Sequence, residues 1–396
     1  MNYRSATGSD GHIPNFAQKR VLLLRMIRAA QPVTRSEISK RLGIDKSLIT
    51  EIVKPLIKAG ILREAMTADS ADGRPARALS FADSKDYFIG MNIGVRQSQV
   101  GVMTLNGEIT DEIDFETPSD PGAALSMARE EILSIYENNI GRRLRAIGVS
   151  VPGMTDAARR ELVYAPNLGW KNIKIADGLL IDPAVPVVVE TDATAAAMYE
   201  ACVRIGQSRD GRMPNFVLVR SGTGIGAGLV IGGEVFRGGD EMGMAGEFGH
   251  MTIVAGGKPC ACGNRGCWEK YASAASAASL YLGDRPPARG ESVPRFVEIV
   301  SKAENGDVRS RRTLEKIGDY LGIGVANVIM TVGIPRVIIS GRLVYGWKFI
   351  KDPMNEAIRR SIIGKTKGWS VEAGEPIGSA IGGALEVATE DFLLTL

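Results

Sequence analysis

Residues 250–269 read HMTIVAGGKPCACGNRGCWE, a stretch that holds three of the chain's four cysteines and one of its two histidines. His250, Cys260, Cys262 and Cys267 follow the spacing H-x9-C-x-C-x4-C. Three thiolates and one imidazole suit a tetrahedral structural Zn²⁺, with every position filled by protein and none left for water. Gly256, Gly257, Gly263 and Gly266 let the backbone fold tightly around such an ion. A set of free thiols in a loop, or a redox pair, is the competing reading of the same residues. Two carboxylates, Glu247 and Glu269, flank the cluster. Zinc here would be scaffolding: it would hold a glycine-rich loop rigid so that the flanking side chains project into a cleft.

Working outward, 396 residues suffice for two or three domains, each with its own core. Hydrophobic content of 44% and charged content of 23% are those of a soluble globular chain and argue against a disordered one. No run of about eighteen apolar residues is present, so no membrane span is expected. The first residues, MNYRSATGSDGHIPN, are polar and lack a signal-peptide core. Clustered cysteines do not suggest a disulfide-stapled secreted domain, and a cytoplasmic protein is expected. The net charge of +3 is unevenly spread. Residues 1–80 carry 14 Lys and Arg against 7 Asp and Glu, and the remaining 316 carry 34 against 38. A polyanion partner is therefore expected for the first part alone.

Within that part, FAQKRVLLLRMIRAAQP places Leu23, Leu24 and Ile27 on one apolar face until Pro32 stops the helix. TRSEISKRLGI opens with Thr34 and Glu37 in capping-box spacing and closes at Gly43. DKSLITEIVKPLIKAG begins at the N-cap Asp45 and buries Ile49, Ile52, Val53 and Leu56 as one stripe. Pro55 is expected to bend this helix or remove one of its hydrogen bonds. ILREA and ARALSF then read as a hairpin whose tip, DSADGRPAR, carries Arg74 between Gly73 and Pro75. This is the pattern of a winged helix-turn-helix. Lys46, Ser47, Thr50 and Lys54 on the outer face of the third helix, with Arg35 and Ser36, are the expected contacts to double-stranded DNA. Arg74 and Arg77 would come from the wing, with Arg74 in the minor groove. A small helical protein-interaction domain with a loop is the alternative.

From Tyr87 the pattern turns to strands. YFIGMNIG, QVGVMTL and GEITDEIDFE read as three antiparallel strands, followed by an amphipathic helix and the buried strand LRAIGVSVPG. VPVVVETD runs into the helix ATAAAMYEA; NFVLVRSGTGIGAGLVIGGEV is a second glycine-rich hairpin, and RVIISG a late strand. Two lobes, each opening with antiparallel strands and closing with βα units, would enclose a cleft.

Six motifs in order, GVSVPGM, YAPNLGW, ETDATAAA, GTGIGAG, AGEFGHM and CACGNRGCWE, resemble those of the ROK family of repressors, open reading frames and sugar kinases. The resemblance runs from about residue 85 to the last residue. It implies an α/β fold, a winged helix-turn-helix followed by a two-lobed actin-like domain of the sugar kinase/Hsp70 type. The expected division is 1–82 for the DNA-binding domain, 83–205 for the first lobe and 206–378 for the second, with a terminal helix at 379–396 returning to the first. The zinc motif falls on His250, Cys260, Cys262 and Cys267, one structural Zn²⁺ per chain. The sugar ligands fall on Asn167, Asp192, Glu247, His250 and Glu269, His250 using one ring nitrogen for zinc and the other for a hydroxyl. Thr191 is counted with the expected sugar-binding residues; it stands where the family usually has Asn, a departure that bears on the choice of sugar.

Asp192 matches the base of the family's kinases, and GTGIGAG a phosphate-binding turn. The first phosphate loop departs from them. Kinases have Asp-x-Gly-Gly-Thr, and this chain has Asn92-Ile93-Gly94-Val95-Arg96. Asn92 removes a negative charge from the Mg²⁺-nucleotide site, and Val95 puts a branched side chain where backbone must approach phosphate. No phosphoryl transfer is therefore expected, with Asp192 vestigial as a base and kept as a sugar ligand. The favoured expectation is a sugar-responsive regulator, a repressor of carbohydrate genes resembling the Mlc-, NagC- and XylR-like branch, acting as a homodimer or homotetramer on operator DNA. A sugar kinase with an appended DNA-binding domain is the rival, and a regulator controlled by a sugar-transport protein a third reading.

Overall fold

The structure, a computed structural model, describes residues 16–67, 76–208, 213–238, 245–289, 291–376 and 379–396. The wing tip with Arg74 lies outside them.

The N-terminal unit comprises α1 (Phe16–Ala30), β1 (Val33–Thr34), α2 (Arg35–Leu42), α3 (Lys46–Lys58), β2 (Leu62–Thr67) and β3 (Ala76–Phe81). Local chemistry sets its corners. Thr34 and Glu37 form a reciprocal capping box at the start of α2, and Gly43 ends that helix at φ 64°, the left-handed region that costs glycine nothing. Asp45 has the extended backbone of an N-cap, but its side chain caps nothing. α3 continues through Pro55 to Lys58, so the missing amide costs one hydrogen bond without ending the helix. Ile49, Ile52, Val53 and Leu56 are buried. The wing is a sheet of order β1-β3-β2.

The first lobe contains β4 (Asp86–Asn92), β5 (Gln97–Thr104), β6 (Ile109–Glu116), α4 (Pro121–Asn138) and β7 (Arg143–Val151). A small antiparallel sheet follows, β8 (Met154–Thr155), β9 (Leu162–Ala165) and β10 (Trp170–Ile173), then the turn α5 (Ile175–Gly178), β11 (Val187–Thr191) and α6 (Asp192–Gln207). Its main sheet runs β11-β7-β4-β5-β6. The second lobe repeats that plan. β12 (Phe216–Ser221), β13 (Ile225–Ile231) and β14 (Glu234–Phe236) are antiparallel. After α7 (Glu269–Ala272), α8 (Ser276–Tyr281), α9 (Phe296–Glu304) and α10 (Val308–Val332), β15 (Arg336–Gly341) joins parallel to β12. α11 (Trp347–Arg360) leads to β16 (Ser370–Ala373), and α12 (Ser379–Thr395) ends the chain. The sheet order β14-β13-β12-β15-β16 is the first lobe's order again.

α12 lies on β4 and β7 of the first lobe. Gly148 makes that approach possible: a Cβ there would stand 2.5 Å from the Ala388 nitrogen. The second lobe has its own core around Trp268, fully buried, whose indole donates to the Tyr320 carbonyl at 3.0 Å. Truncating such a side chain costs about 3–5 kcal/mol. The core of the winged unit does not stop at its boundary. Leu23, Ile27 and Phe81 belong to one buried cluster with Phe88, Leu105, Ile205 and Phe392 of the body. Arg41 of α2 adds a hydrogen bond to the Ile205 carbonyl at 3.2 Å. The winged unit is thus packed onto the lobes. No described helix is long and apolar enough to cross a membrane.

Candidate metal centre, cleft and DNA-binding face

The ligand atoms of His250, Cys260, Cys262 and Cys267 all lie within 4.8 Å of one another. Cys260 Sγ is 3.6 Å from His250 Nδ1, and Cys262 Sγ is 3.7 Å from Cys267 Sγ. A tetrahedron with arms of about 2.3 Å has edges of about 3.8 Å, so these spacings fit a bound metal such as zinc. Burial pushes the Cys260 and Cys267 thiols up, and three closely packed sulfurs suit a cation that holds them as thiolates. The loop is pinned by backbone bonds from Gly266 N to the Lys258 carbonyl at 2.8 Å and from Cys260 N to Asn264 O at 2.9 Å. Gly263, at φ 92°, turns the chain between two ligands.

The same loop feeds the cleft. His250 ends the short turn Glu247–His250, and its Nε2 lies 3.9 Å from Glu247 Oε2. Glu269 follows Trp268, with Oε1 3.2 Å from Cys260 Sγ. On the opposite side the Gly222–Gly226 turn packs against three candidate residues. A Cβ on Gly224 would stand 2.5 Å from Glu269 Oε2 and 3.2 Å from Asn167 Nδ2, and one on Gly226 would stand 3.9 Å from Asp192 Oδ1. A side chain at Gly224 would have to displace the Glu269 carboxylate. Burial pushes the Glu247 carboxyl up; His250 opposes this, and the Asp192 and Glu269 carboxylates add to it. Asn167, Asp192, Glu247, His250 and Glu269 therefore converge from both lobes. Several acceptors, an amide and an imidazole facing one space can pair with hydroxyls pointing in different directions.

Thr191 departs from the expectation. Its hydroxyl accepts from Thr194 N at 3.2 Å and donates to Thr194 Oγ1 at 2.9 Å, so it caps α6. The side chain is engaged at the helix start.

Two residues of the site escaped the sequence reading. Arg220 on β12 places Nε 3.3 Å from Asp192 Oδ2. A lone arginine in the otherwise apolar FVLVRSG was the available signal. Tyr164 on β9 donates to the Ala261 carbonyl at 3.1 Å, joining the first lobe to the metal loop, and nothing local marked it. In the first phosphate loop, Asn92 is buried and accepts from Ser150 Oγ at 2.9 Å. Its side chain thus ties β4 to β7, with Val95 half-buried and Arg96 exposed beyond it.

On the winged unit Lys46, Ser47, Thr50 and Lys54 are exposed along one face of α3, and Ser36 is exposed at the start of α2. Thr50 Oγ1 donates to the Lys46 carbonyl at 2.8 Å and keeps its lone pairs outward. Arg35 departs from the expectation: its guanidinium is paired with Glu64 on β2 and half-buried, serving the wing's attachment. Arg77 is 73% exposed, 3.9 Å from the same carboxylate, and remains free to reach outward.

The chain is similar to known proteins over most of its length. A profile of the ROK family matches residues 88–388, and one of the MarR family matches residues 17–69. The chain is 30% identical over 344 residues to the xylose repressor of Bacillus subtilis (strain 168), covering 85% of each. A ROK family transcriptional regulator described as a homologue of the E. coli MLC protein superposes with a TM-score of 0.74 at 24% identity, over 96% of this chain and 98% of that one. A ROK family glucokinase from Streptomyces griseus, in complex with glucose and AMPPNP, aligns with a TM-score of 0.63 at 26% identity, over 76% of this chain and 99% of its own. An α/β body of two like lobes behind a helix-turn-helix is a fold of sugar-kinase type carrying a DNA-binding unit. The chain belongs to the ROK family.

Proposed function

We propose that the chain is a sugar-responsive transcriptional repressor that binds operator DNA through its winged helix and a monosaccharide in the interlobe cleft. The observation that carries this reading is the pairing of an exposed recognition face on α3 with a cleft that gathers Asn167, Asp192, Glu247, His250 and Glu269. Similarity to the xylose repressor extends over both parts and makes D-xylose the first sugar to try, with D-glucose and N-acetyl-D-glucosamine beside it. In this reading residues 1–82 bind DNA, 83–205 and 206–378 form the lobes, and the four-ligand centre holds one structural Zn²⁺. A single winged helix reads few base pairs, so a dimer on a palindromic site follows. Sugar acts by binding two conformations with different affinity. The protein works in the cytoplasm, where operators are.

Lys46, Lys54 and Lys58 are exposed cations of α3, and Lys46 and Lys54 are the two expected to contact DNA. Replacing both by Ala should flatten the salt dependence of DNA binding, lowering the log–log slope of the dimer by up to about 3.6, since four phosphate contacts are lost and each removes about 0.9. Fluorescence anisotropy at several salt concentrations reads this directly; an unchanged slope would move the DNA face elsewhere.

The kinase reading has one observation in its favour, the retained Asp192 beside the Gly222–Gly226 turn. Against it stand Asn92, engaged between β4 and β7, and Arg220 upon Asp192. ADP release with ATP and the three sugars should stay far below the roughly 1–100 s⁻¹ of kinases. Turnover within that range would make the chain an enzyme.

A further inference from the structure

α1 is the helix of the winged unit that lies over the seam between the lobes. Arg25, with its side chain 17% exposed, is held from two sides. Nη1 is paired with Glu234 on β14 of the second lobe. Nη2 and Nε are paired with Glu390 on α12, the helix seated on the first lobe's sheet, Nε at 2.8 Å. Arg28, one turn along and 5% exposed, bonds instead to Glu386 of α12 and lies 3.4 Å from Cys202 Sγ of α6. Arg28 is therefore an anchor, while Arg25 spans two bodies.

β14 leads from this clamp to both banks of the cleft. Arg237, just past its end, donates Nε to Glu190 Oε2 at 2.8 Å. Glu190 is buried on β11, two residues before Asp192, and Arg159 also approaches it at 3.4 Å. The Arg237 carbonyl accepts from Ala245 N at 3.3 Å, two residues before Glu247. A crevice of about 50 Å³, lined by Arg25, Arg28, Glu234, Glu386 and Glu390 among others, lies at the clamp between β14 and α12.

We propose that β14 and Arg25 form the link by which occupancy of the cleft is transmitted to the DNA-binding unit. An effector that draws Glu247 and Asp192 together moves the β14 arm through Arg237. Glu234 then moves relative to Glu390. One guanidinium cannot keep both carboxylates, and a partly buried charge is costly to leave unpaired, so α1 tilts with one partner. The linkage is thermodynamic: the two arrangements differ in sugar affinity and in DNA affinity together.

This rests on the cleft being the effector site, and the experiment separates the two. Wild type, Glu234→Gln and Arg25→Lys are compared on a duplex selected by the wild-type chain from a random pool. DNA affinity is read with and without whichever of D-xylose, D-glucose and N-acetyl-D-glucosamine binds tightest by calorimetry. Glu234 is 45% exposed, so its amide variant should fold normally. In wild type the sugar should change DNA affinity at least about fivefold, the lower end of ordinary allosteric coupling. In both variants that change should fall below about twofold, with sugar affinity and sugar-free DNA affinity each kept within about twofold. A full response in both variants overturns the clamp and leaves the effector reading intact. Absence of sugar binding in wild type removes the effector reading, and the clamp with it.

Discussion

Cys267→Ala should weaken sugar binding by about 100-fold or more and lower the melting temperature by roughly 4 °C, for loss of about 3 kcal/mol of local structure in a chain of 396 residues. Cys267 is fully buried, faces Thr252 across a β-bridge, and immediately precedes Trp268 and Glu269. Without its sulfur the fourth metal ligand is gone, and the loop carrying His250 and Glu269 loses its fixed shape. The lobes keep their own cores around Trp268 and around Ile89 and Val149, so the body should still unfold cooperatively, merely earlier. In the proposed reading the metal only orients the cleft residues, so its removal by a strong chelator should mimic the substitution. Sugar affinity should fall by about 100-fold or more, at the upper end of what removing an orienting partner does. Metal analysis of the wild-type protein should return one zinc per chain. A protein purified without metal that binds sugar normally would end the scaffolding role.

The second large effect is expected at the carboxylates. Asp192→Asn and Glu269→Gln would each remove the charge from the proposed hydrogen bonds to sugar hydroxyls, bonds worth about 1.5–3 kcal/mol when charged. Each should weaken sugar binding roughly 10- to 150-fold by calorimetry. Asp192→Asn leaves Arg220 beside a neutral partner and should be the more severe of the two. Sugar-free DNA affinity should not change, because both side chains lie in the cleft and none of the exposed positions of α3 is altered. Loss of DNA binding in these variants would mean that they disturb the fold, and unchanged sugar affinity would place the ligand elsewhere.

Much of this was legible in the chain because the relevant forces are local. The capping box at Thr34 and Glu37, the left-handed Gly43 and the buried stripe from Ile49 to Leu56 are decided within a few residues, and the structure has all three. The metal cluster was legible because its donors sit in one loop with the right chemistry. The duplicated lobes followed from strand alternation and glycine-rich turns. What could not be read was the long-range pairing of charges. Arg35 looked like a DNA contact until β2 supplied Glu64, and Thr191 looked like a sugar contact until its hydroxyl was found capping α6. Arg220, Tyr164 and the Arg25 clamp depend on partners tens to hundreds of residues away. Neither spacing nor periodicity carries that information.

The central claim is that a cleft of sugar-kinase type has become a sensor whose occupancy changes grip on DNA. It is tested most directly by titrating the full chain onto its selected duplex, followed by anisotropy, with and without saturating sugar. The binding curve should move at least about fivefold toward weaker affinity when sugar is present. Superimposable curves, with a sugar shown by calorimetry to occupy the cleft, would contradict it.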